Sequence, residues 1–288
     1  MKCIFLKKYP ITTALILAAG TGSRLQPLTN DAPKCLTMVN GKSILERMIE
    51  GLNSRGFKKL VIVTGHLEDK IREFLGNEFG NIQIEYIFSP SYKVTNNIFS
   101  LWMARKKINE PFLLLESDLI YDECLLDSML IPNRIAVAKM QPWLNGTCVT
   151  IDQSSKVKSF LPGDSPQTNG AKYKTVNIYS LSLKSWNLVK KRISKHISAN
   201  KINNYYETVF TEMVADGSLS LKASFFDNSL WYEIDTIQDL RQAEKLFPEV
   251  GTQKQKIIKS LLPGYIKENI INEVISSPKI TGALSVVK

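Results

Sequence analysis

Uninterrupted apolar runs alternate, in the first half of the chain, with segments whose apolar residues recur every three or four positions. Thr13 to Ala19 (TALILAA) is the first such run, and Gly20 stops it. An unbroken run of this length suits a strand buried on both faces, as in a parallel sheet. Ser43 precedes ILERMIEGL, where Ile44, Leu45, Met48, Ile49 and Leu52 share one helical face; Ser43 can cap this helix, and Gly56 lies just beyond its end. Lys59 to Thr64 (KLVIVT) is a second buried strand, closed by Gly65. EDKIREFLG then predicts a helix, IQIEYIF a strand, NNIFSLWMARKKI a helix, and PFLLLESDLIYD a strand running into an acidic turn. Strand and helix in alternation predict a mostly parallel sheet with helices on both faces, an architecture that gathers ligands at the carboxyl ends of its strands.

After Pro132 the pattern changes. RIAVAKM, TCVTID, KVKSFL and KTVNIYSL are short alternating segments separated by Pro, Gly, Asn and Asp, as in a smaller mixed or antiparallel sheet. Helices return at WNLVKKRI, YYETVFTEMV and DTIQDLRQAEKLF. From Pro248 onward two weak amphipathic segments, Lys254 to Leu262 and Tyr265 to Ile275, are split by Pro263 and Gly264. The expected organisation is therefore one domain over residues 11–247, with a helical tail or linker over 248–288 that is a candidate dimerisation arm.

Composition narrows the class without naming it. With 44% hydrophobic and 22% charged residues in 288, the chain can bury a sizeable core, which excludes disordered and disulfide-stapled classes. Cys3, Cys35, Cys124 and Cys148 are scattered with no CxxC pair, and only His66 and His196 accompany them. That argues against structural zinc and fits reduced thiols. The opening MKCIFLKKYPITTALILAAG has the lysines and apolar run of a signal peptide, but the unbroken apolar stretch from Ala14 to Ala19 is short and Pro10, Thr12 and Thr13 interrupt what precedes it. No later stretch reaches the ~20 apolar residues of a membrane helix, so a cytoplasmic protein without a membrane partner is expected. The net charge of +10 suggests an anionic partner, either nucleotide or nucleic acid. Its densest cluster, Lys184, Lys190, Lys191, Arg192 and Lys195, reads as the solvated face of one helix. No nucleic-acid-reading motif accompanies it, and nucleic acid is not the expected partner.

Three groups of residues carry candidate chemistry. In the loop LAAGTGSRLQPLTNDAPK, Gly20 and Gly22 remove side chains where a backbone must approach phosphate, and successive free N–H groups there can cradle an anion. Arg24 can fork onto phosphate oxygens, while Lys34 supplies a compact charge able to follow charge developing in a transition state. The loop fits neither the P-loop nor the full dinucleotide fingerprint. Asp118 closes the apolar run PFLLLES, where a strand-terminal carboxylate points into the ligand crevice and can hold Mg²⁺ together with substrate phosphates. Glu116, on the same side of that strand, is a candidate support for it, and Asp122 is a nearby decoy. Asp235, in WYEID, reads either as the cap of the following helix or as a second carboxylate on the same cation.

These residues resemble the sugar-1-phosphate nucleotidyltransferase-like superfamily, over about Ile11 to Phe247. LAAGTGSRLQPLTNDAPKCL is similar to its signature loop, VIVTGHLEDKI to its second strand and helix, and ESDLIYD and YEIDTIQDL to its metal-carboxylate segments. Within it, TNNIFSLW, ESDLIYD and WYEID are most similar to cytidylyltransferases acting on phosphocholine or 2-aminoethylphosphonate. The resemblance implies a GT-A-like, Rossmann-type α/β fold. It implies that Ala18, Ala19, Gly20, Gly22, Ser23 and Arg24 hold the nucleotide, with Lys34 by the α-phosphate. Gly65 would lie near the base, and Asn96, Asn97 and Ser100 near base and ribose. Asp118 and Asp235 would hold Mg²⁺, and Lys174 would contact the acceptor phosphate. His66 departs from the aromatic residue that many relatives carry there. The implied partners are a nucleoside triphosphate, CTP favoured, and a small phosphate or phosphonate acceptor.

For the acceptor, Glu207 or Asp227 can neutralise an amine. Trp143, Tyr173, Tyr205, Tyr206, Trp231 and Tyr232 supply aromatic faces that either bind a substituted ammonium or pack the core, with Trp231 taken as an acceptor contact. A sugar 1-phosphate is the alternative acceptor, and a nucleotide-binding module without transferase activity is the alternative class.

Overall fold

The computed structural model describes residues 11–141, 144–162, 172–226 and 231–247; Trp143, Asp227 and the expected tail over 248–288 lie outside them. Strands are β1 (Thr13–Ala18), β2 (Met38–Val39), β3 (Lys42–Ser43), β4 (Lys59–Thr64), β5 (Glu78–Phe79), β6 (Ile82–Phe88) and β7 (Phe112–Glu116). They continue as β8 (Leu119–Tyr121), β9 (Arg134–Lys139), β10 (Cys148–Ile151), β11 (Val157–Leu161), β12 (Lys172–Leu181), β13 (Lys222–Phe225) and β14 (Trp231–Glu233). The helices are α1 (Ile44–Ser54), α2 (Glu68–Leu75), α3 (Asn97–Ala104), α4 (Leu183–Ser198), α5 (Tyr206–Ala215) and α6 (Ile237–Leu246).

β7, β1, β4 and β6 run parallel in that spatial order, with Leu17 opposite both Glu116 and Val63. β1 is buried at every position because helices cover both faces. Its alternate residues divide between two cores. Ala14, Ile16 and Ala18 pack with Ile44, Met48 and Leu52 of α1 and Leu240 of α6. Leu15 and Leu17 pack with Ile98 and Leu101 of α3, Trp186 and Val189 of α4, and Phe210 of α5. β6 lies nearer the sheet edge, and its first four residues, Ile82 to Glu85, accordingly alternate between buried and more exposed positions.

The mixed part formed by the second half is present, and through β12 it continues the parallel part as one ten-stranded sheet. That strand runs antiparallel to β7 at Ile178–Leu181 and to β10 at Lys172–Thr150. Its register on β9 shifts between Thr175 and Tyr179, where Asn177 takes a left-handed φ of 58°. β13, which the alternation pattern does not mark, adds to β9 in parallel. β8 and β14 pair separately, Glu233 opposite Leu119, which brings the segment after Glu233 beside the segment after β7.

Two expected caps are resolved differently. Ser43 Oγ accepts from Glu46 N at 3.1 Å and begins α1 as expected. At α6 the cap is Thr236, joined to Asp239 in a reciprocal capping box, so Asp235 is not the capping residue. Among the described residues no helix is long and apolar enough to cross a membrane.

Candidate active site

The chain builds β1, β4 and β6 outward on one side of β1 and then returns to place β7 on the other. That reversal opens a crevice beyond the carboxyl ends of β1 and β7, the place where open α/β sheets bind ligands. A cleft of about 560 Å³ occupies it. Ala19, Gly20, Gly22, Ser23, Arg24 and Lys34 line one end, with Asn96, Asn97 and Ser100 alongside. Glu116 and Asp118 line its floor, and Asn145, Thr147, Lys174, Asn177, Glu207 and Glu233 its far end.

The two loop glycines serve different purposes. Gly22 has φ 63°, and a Cβ there would lie 3.0 Å from both Lys34 Cβ and Thr29 Cγ2. Its carbonyl accepts from Thr29 Oγ1 at 2.9 Å, which folds the loop back on itself. Gly20 has open space where a Cβ would stand, and that space is the cleft. Gly65 is required elsewhere: a Cβ would come 2.6 Å from the Ala19 carbonyl oxygen and 2.7 Å from Tyr92 Cβ. Neither Gly65 nor Ala18 is among the residues lining the cleft; both shape the loop from behind.

Lys34 joins the two acidic segments. Its Nζ donates to Asp118 Oδ2 at 2.8 Å and to Asp235 Oδ1 at 2.6 Å, and Arg24 Nη2 donates to the same Asp235 oxygen at 2.7 Å. Burial alone would lower the Lys34 pKa, but the two carboxylates outweigh it and hold the ammonium above its ordinary range. Asp118 Oδ1 is buried and has no hydrogen-bond partner. Two carboxylates that share one cation, one of them with an unmet oxygen, suit a divalent ion that takes its remaining ligands from substrate phosphates. No group of three or more His, Cys, Asp or Glu side chains able to hold a metal occurs among the described residues, so any cation here rests on this pair and a substrate.

The far end is acidic and closely packed. Lys174, 2% exposed, donates to Thr175 O at 2.7 Å and faces Glu233 Oε2 at 3.4 Å. Asn177 donates to Glu233 Oε1 at 3.5 Å, so the irregular turn of β12 helps to hold that carboxylate. Burial raises Glu233, and Lys174 offsets part of the rise. Burial pushes Glu207 up to about 7, and burial with Asp118 and Glu207 nearby pushes Glu116 well above the usual carboxyl range.

Asn97 ties the two ends together. Its Nδ2 donates to Glu116 Oε1 at 3.1 Å, while its Oδ1 accepts from Tyr206 N at 3.0 Å. Asn96 caps α3 by accepting from Asn97 N at 2.7 Å. His66, the departure from the resembled pattern, bonds Thr29 O through Nε2 at 3.1 Å and packs at 6.2 Å from Tyr92, which puts it behind the phosphate loop.

The aromatic residues divide. Tyr206 packs into a buried cluster with Tyr179 and Phe210, and Tyr173 stacks edge-on against Phe225. Trp231 and Tyr232 lie in an adjoining recess beside Arg24, Lys174 and Asp235, outside the main cleft. Tyr205, 60% exposed, does line the cleft. Glu233, Asn177, Asn145 and Thr147 were not legible as site residues. Only the Asn in the middle of a strand-like run, KTVNIYSL, hinted at an irregular backbone.

Fold and site together define an α/β domain whose glycine loop, lysine and paired carboxylates face one cleft, an arrangement suited to phosphate. The chain belongs to the nucleotidyl transferase family, whose model matches residues 13–249. It is 30% identical over 274 residues to the CMP-5'-(3-aminopropyl)phosphonate synthase of Streptomyces rubellomurinus, covering 91% of this chain and 43% of that one. The chain thus spans less than half of that relative's length. It is 24% identical over 237 residues to the choline-phosphate cytidylyltransferase of Streptococcus pneumoniae, covering 81% of this chain and 97% of the relative. The solved CTP:phosphocholine cytidylyltransferase of Streptococcus pneumoniae shares the fold, with a TM-score of 0.69 at 21% identity over 82% of this chain and 98% of that one.

Proposed function

We propose that this nucleotidyltransferase moves CMP from CTP onto a phosphate or phosphonate oxygen of a small acceptor with a cationic end, releasing pyrophosphate. Phosphocholine and 2-aminoethylphosphonate fit that description. The observation that carries the proposal is one cleft with two unlike ends: a glycine loop with Lys34, Arg24, Asp118 and Asp235, and a pocket with Lys174, Glu207 and Glu233. Cytidine and the acceptor class are supported by what the Streptomyces and Streptococcus relatives are named for.

The acceptor oxygen is already anionic, so it can attack the α-phosphorus without losing a proton. One P–O bond forms as the bond to the β-phosphate bridging oxygen breaks, and pyrophosphate carries away the electron pair. Alignment and charge neutralisation are then the protein's task. The backbone around Gly20 and Gly22 receives phosphate, Lys34 and Arg24 supply positive charge, and Lys174 neutralises the acceptor's anionic group. Asp118 and Asp235 would hold Mg²⁺, which when bound withdraws negative charge from the triphosphate oxygens.

A hexose 1-phosphate brings hydroxyls and no cation, and a far end with Glu207 and Glu233 beside Lys174, next to Glu116 on the floor, favours a cationic acceptor over it. The test is a pyrophosphate-release screen with Mg²⁺, crossing CTP, UTP, GTP, ATP and dTTP with phosphocholine, phosphoethanolamine, 2-aminoethylphosphonate and hexose 1-phosphates. Release with CTP and a cationic acceptor, abolished by EDTA, is expected. Release only with a hexose 1-phosphate, or with no pair at all from folded protein, would refute the proposal.

A further inference from the structure

Resting on that transferase reading, we propose that the acceptor end selects a primary ammonium over a quaternary one, with Glu207 as the side chain that receives its N–H groups.

Glu207 stands in the first turn of α5, lines the cleft and is 8% exposed. Its Oε2 is buried without a hydrogen-bond partner, so the side chain brings unmet acceptor capacity to the cleft wall. A lone buried carboxylate oxygen is unfavourable unless a donor reaches it. The surrounding charge is unbalanced in the same sense. Glu116, Glu207 and Glu233 line the cleft with the ammonium groups of Lys174, already engaged by Thr175 O and Glu233, and of Lys34, already engaged by Asp118 and Asp235. Burial, with Glu233 close by, pushes the Glu207 carboxyl up to about 7, a crowding that Lys174 only partly offsets. An incoming –NH₃⁺ relieves it with both charge and three donors.

A trimethylammonium group supplies the charge but no N–H, so Glu207 Oε2 would stay unpaired. Its usual recognition relies on several ring faces around the methyl groups. Among the described residues, the aromatic side chains lining the cleft are Tyr92 and Tyr205. Tyr92 stands against Gly65 and His66 on the nucleotide side, and Tyr205 is largely exposed. The buried Tyr179 and Tyr206 rings close to Glu207 pack on one another and on Phe210: Tyr206 lies 5.7 Å from Tyr179 and 5.2 Å from Phe210.

The test measures kcat/KM with CTP and Mg²⁺ for two matched pairs: phosphoethanolamine against phosphocholine, and 3-aminopropylphosphonate against propylphosphonate. The first member of each pair is expected to win by about tenfold or more, because the site's buried polar group goes unpaired with the second. Glu207→Gln should shrink both preferences to about threefold or less through KM, while Glu207→Asp, which keeps the charge, retains part of them. Phosphocholine used as well as phosphoethanolamine would overturn the inference and leave the transferase reading standing. Preferences that survive Glu207→Gln would overturn the assignment to Glu207. No turnover of any acceptor by protein with an intact melting transition would remove both readings together.

Discussion

Lys34 holds the site together, because its ammonium bonds both Asp118 and Asp235. Lys34→Ala should lower kcat/KM by about 10²-fold, on the order of 3 kcal/mol of transition-state stabilisation, as expected for loss of one preorganised charge. Steady-state kinetics would show it, and a variant with near wild-type kcat would contradict the role. The three glycines separate folding from binding. Gly22→Ala meets a left-handed φ and 3.0 Å contacts, and Gly65→Ala meets the Ala19 carbonyl at 2.6 Å. Each should cost about 1–3 kcal/mol in denaturant unfolding. Gly20→Ala meets nothing within 4 Å, so it should leave stability within about 0.5 kcal/mol and weaken CTP binding instead. Glu207, held near 7 among Glu116, Glu233, Lys174 and the Tyr179 and Tyr206 hydroxyls, sets a pH dependence. Its carboxylate must be ionised to pair with an ammonium, so the kcat/KM ratio of 3-aminopropylphosphonate to propylphosphonate should rise with pH up to about 7 and level above it. The two phosphonates ionise over different pH ranges, because the ammonium acidifies its own phosphonate, so the same ratio is measured with Glu207→Gln, whose profile should lack the rise that Glu207 contributes.

At the scale of elements, short-range signals and sheet geometry divide the work. Ser43 caps α1 where the sequence places a cap, because an Ncap hydroxyl needs only the next three residues. The same rule, applied one residue early, assigns Asp235 to the α6 cap; Thr236 and Asp239 form it instead and leave the Asp235 carboxylate to Lys34 and Arg24. Thr236→Ala should therefore cost about 1 kcal/mol of stability and also loosen Asp235. A lower midpoint in thermal melting together with a higher Mg²⁺ concentration for half-maximal turnover would show both effects, whereas Thr236→Ser should restore them. β12 makes the opposite point. It reads as a plain strand, but Asn177 turns left-handed where its register on β9 shifts, and that turn presents Lys174 and Asn177 to one end of the cleft. Asn is among the few non-glycine residues that adopt this conformation readily, because its side chain can hydrogen-bond locally, here with Thr175 Oγ1 at 3.0 Å.

For the whole molecule, the net charge of +10 includes the basic cluster of α4. Arg192 of the basic α4 pairs with Glu212 and Asp216, and Lys190 lies over the Trp186 ring, which accounts for part of that cluster as a solvated helix face. The parallel sheet, its two cores and the phosphate half of the site were legible because their signals are local. Apolar runs mark strands buried on both faces, the glycine spacing marks a loop that must approach an anion, and Asp118 follows directly from the end of a strand. The acceptor half was not legible to the same degree. Lys174 and Glu207 could be suspected, but Glu233, Asn177 and the burial of Glu207 come from β12, β14 and α5, which are distant in sequence and meet only when the second half is folded. Sequence alone determined which segment is built to receive an anion, since that chemistry is written in one contiguous loop. The tertiary structure alone decided what stands opposite it, because a carboxylate's partners and desolvation depend on every element packed around it.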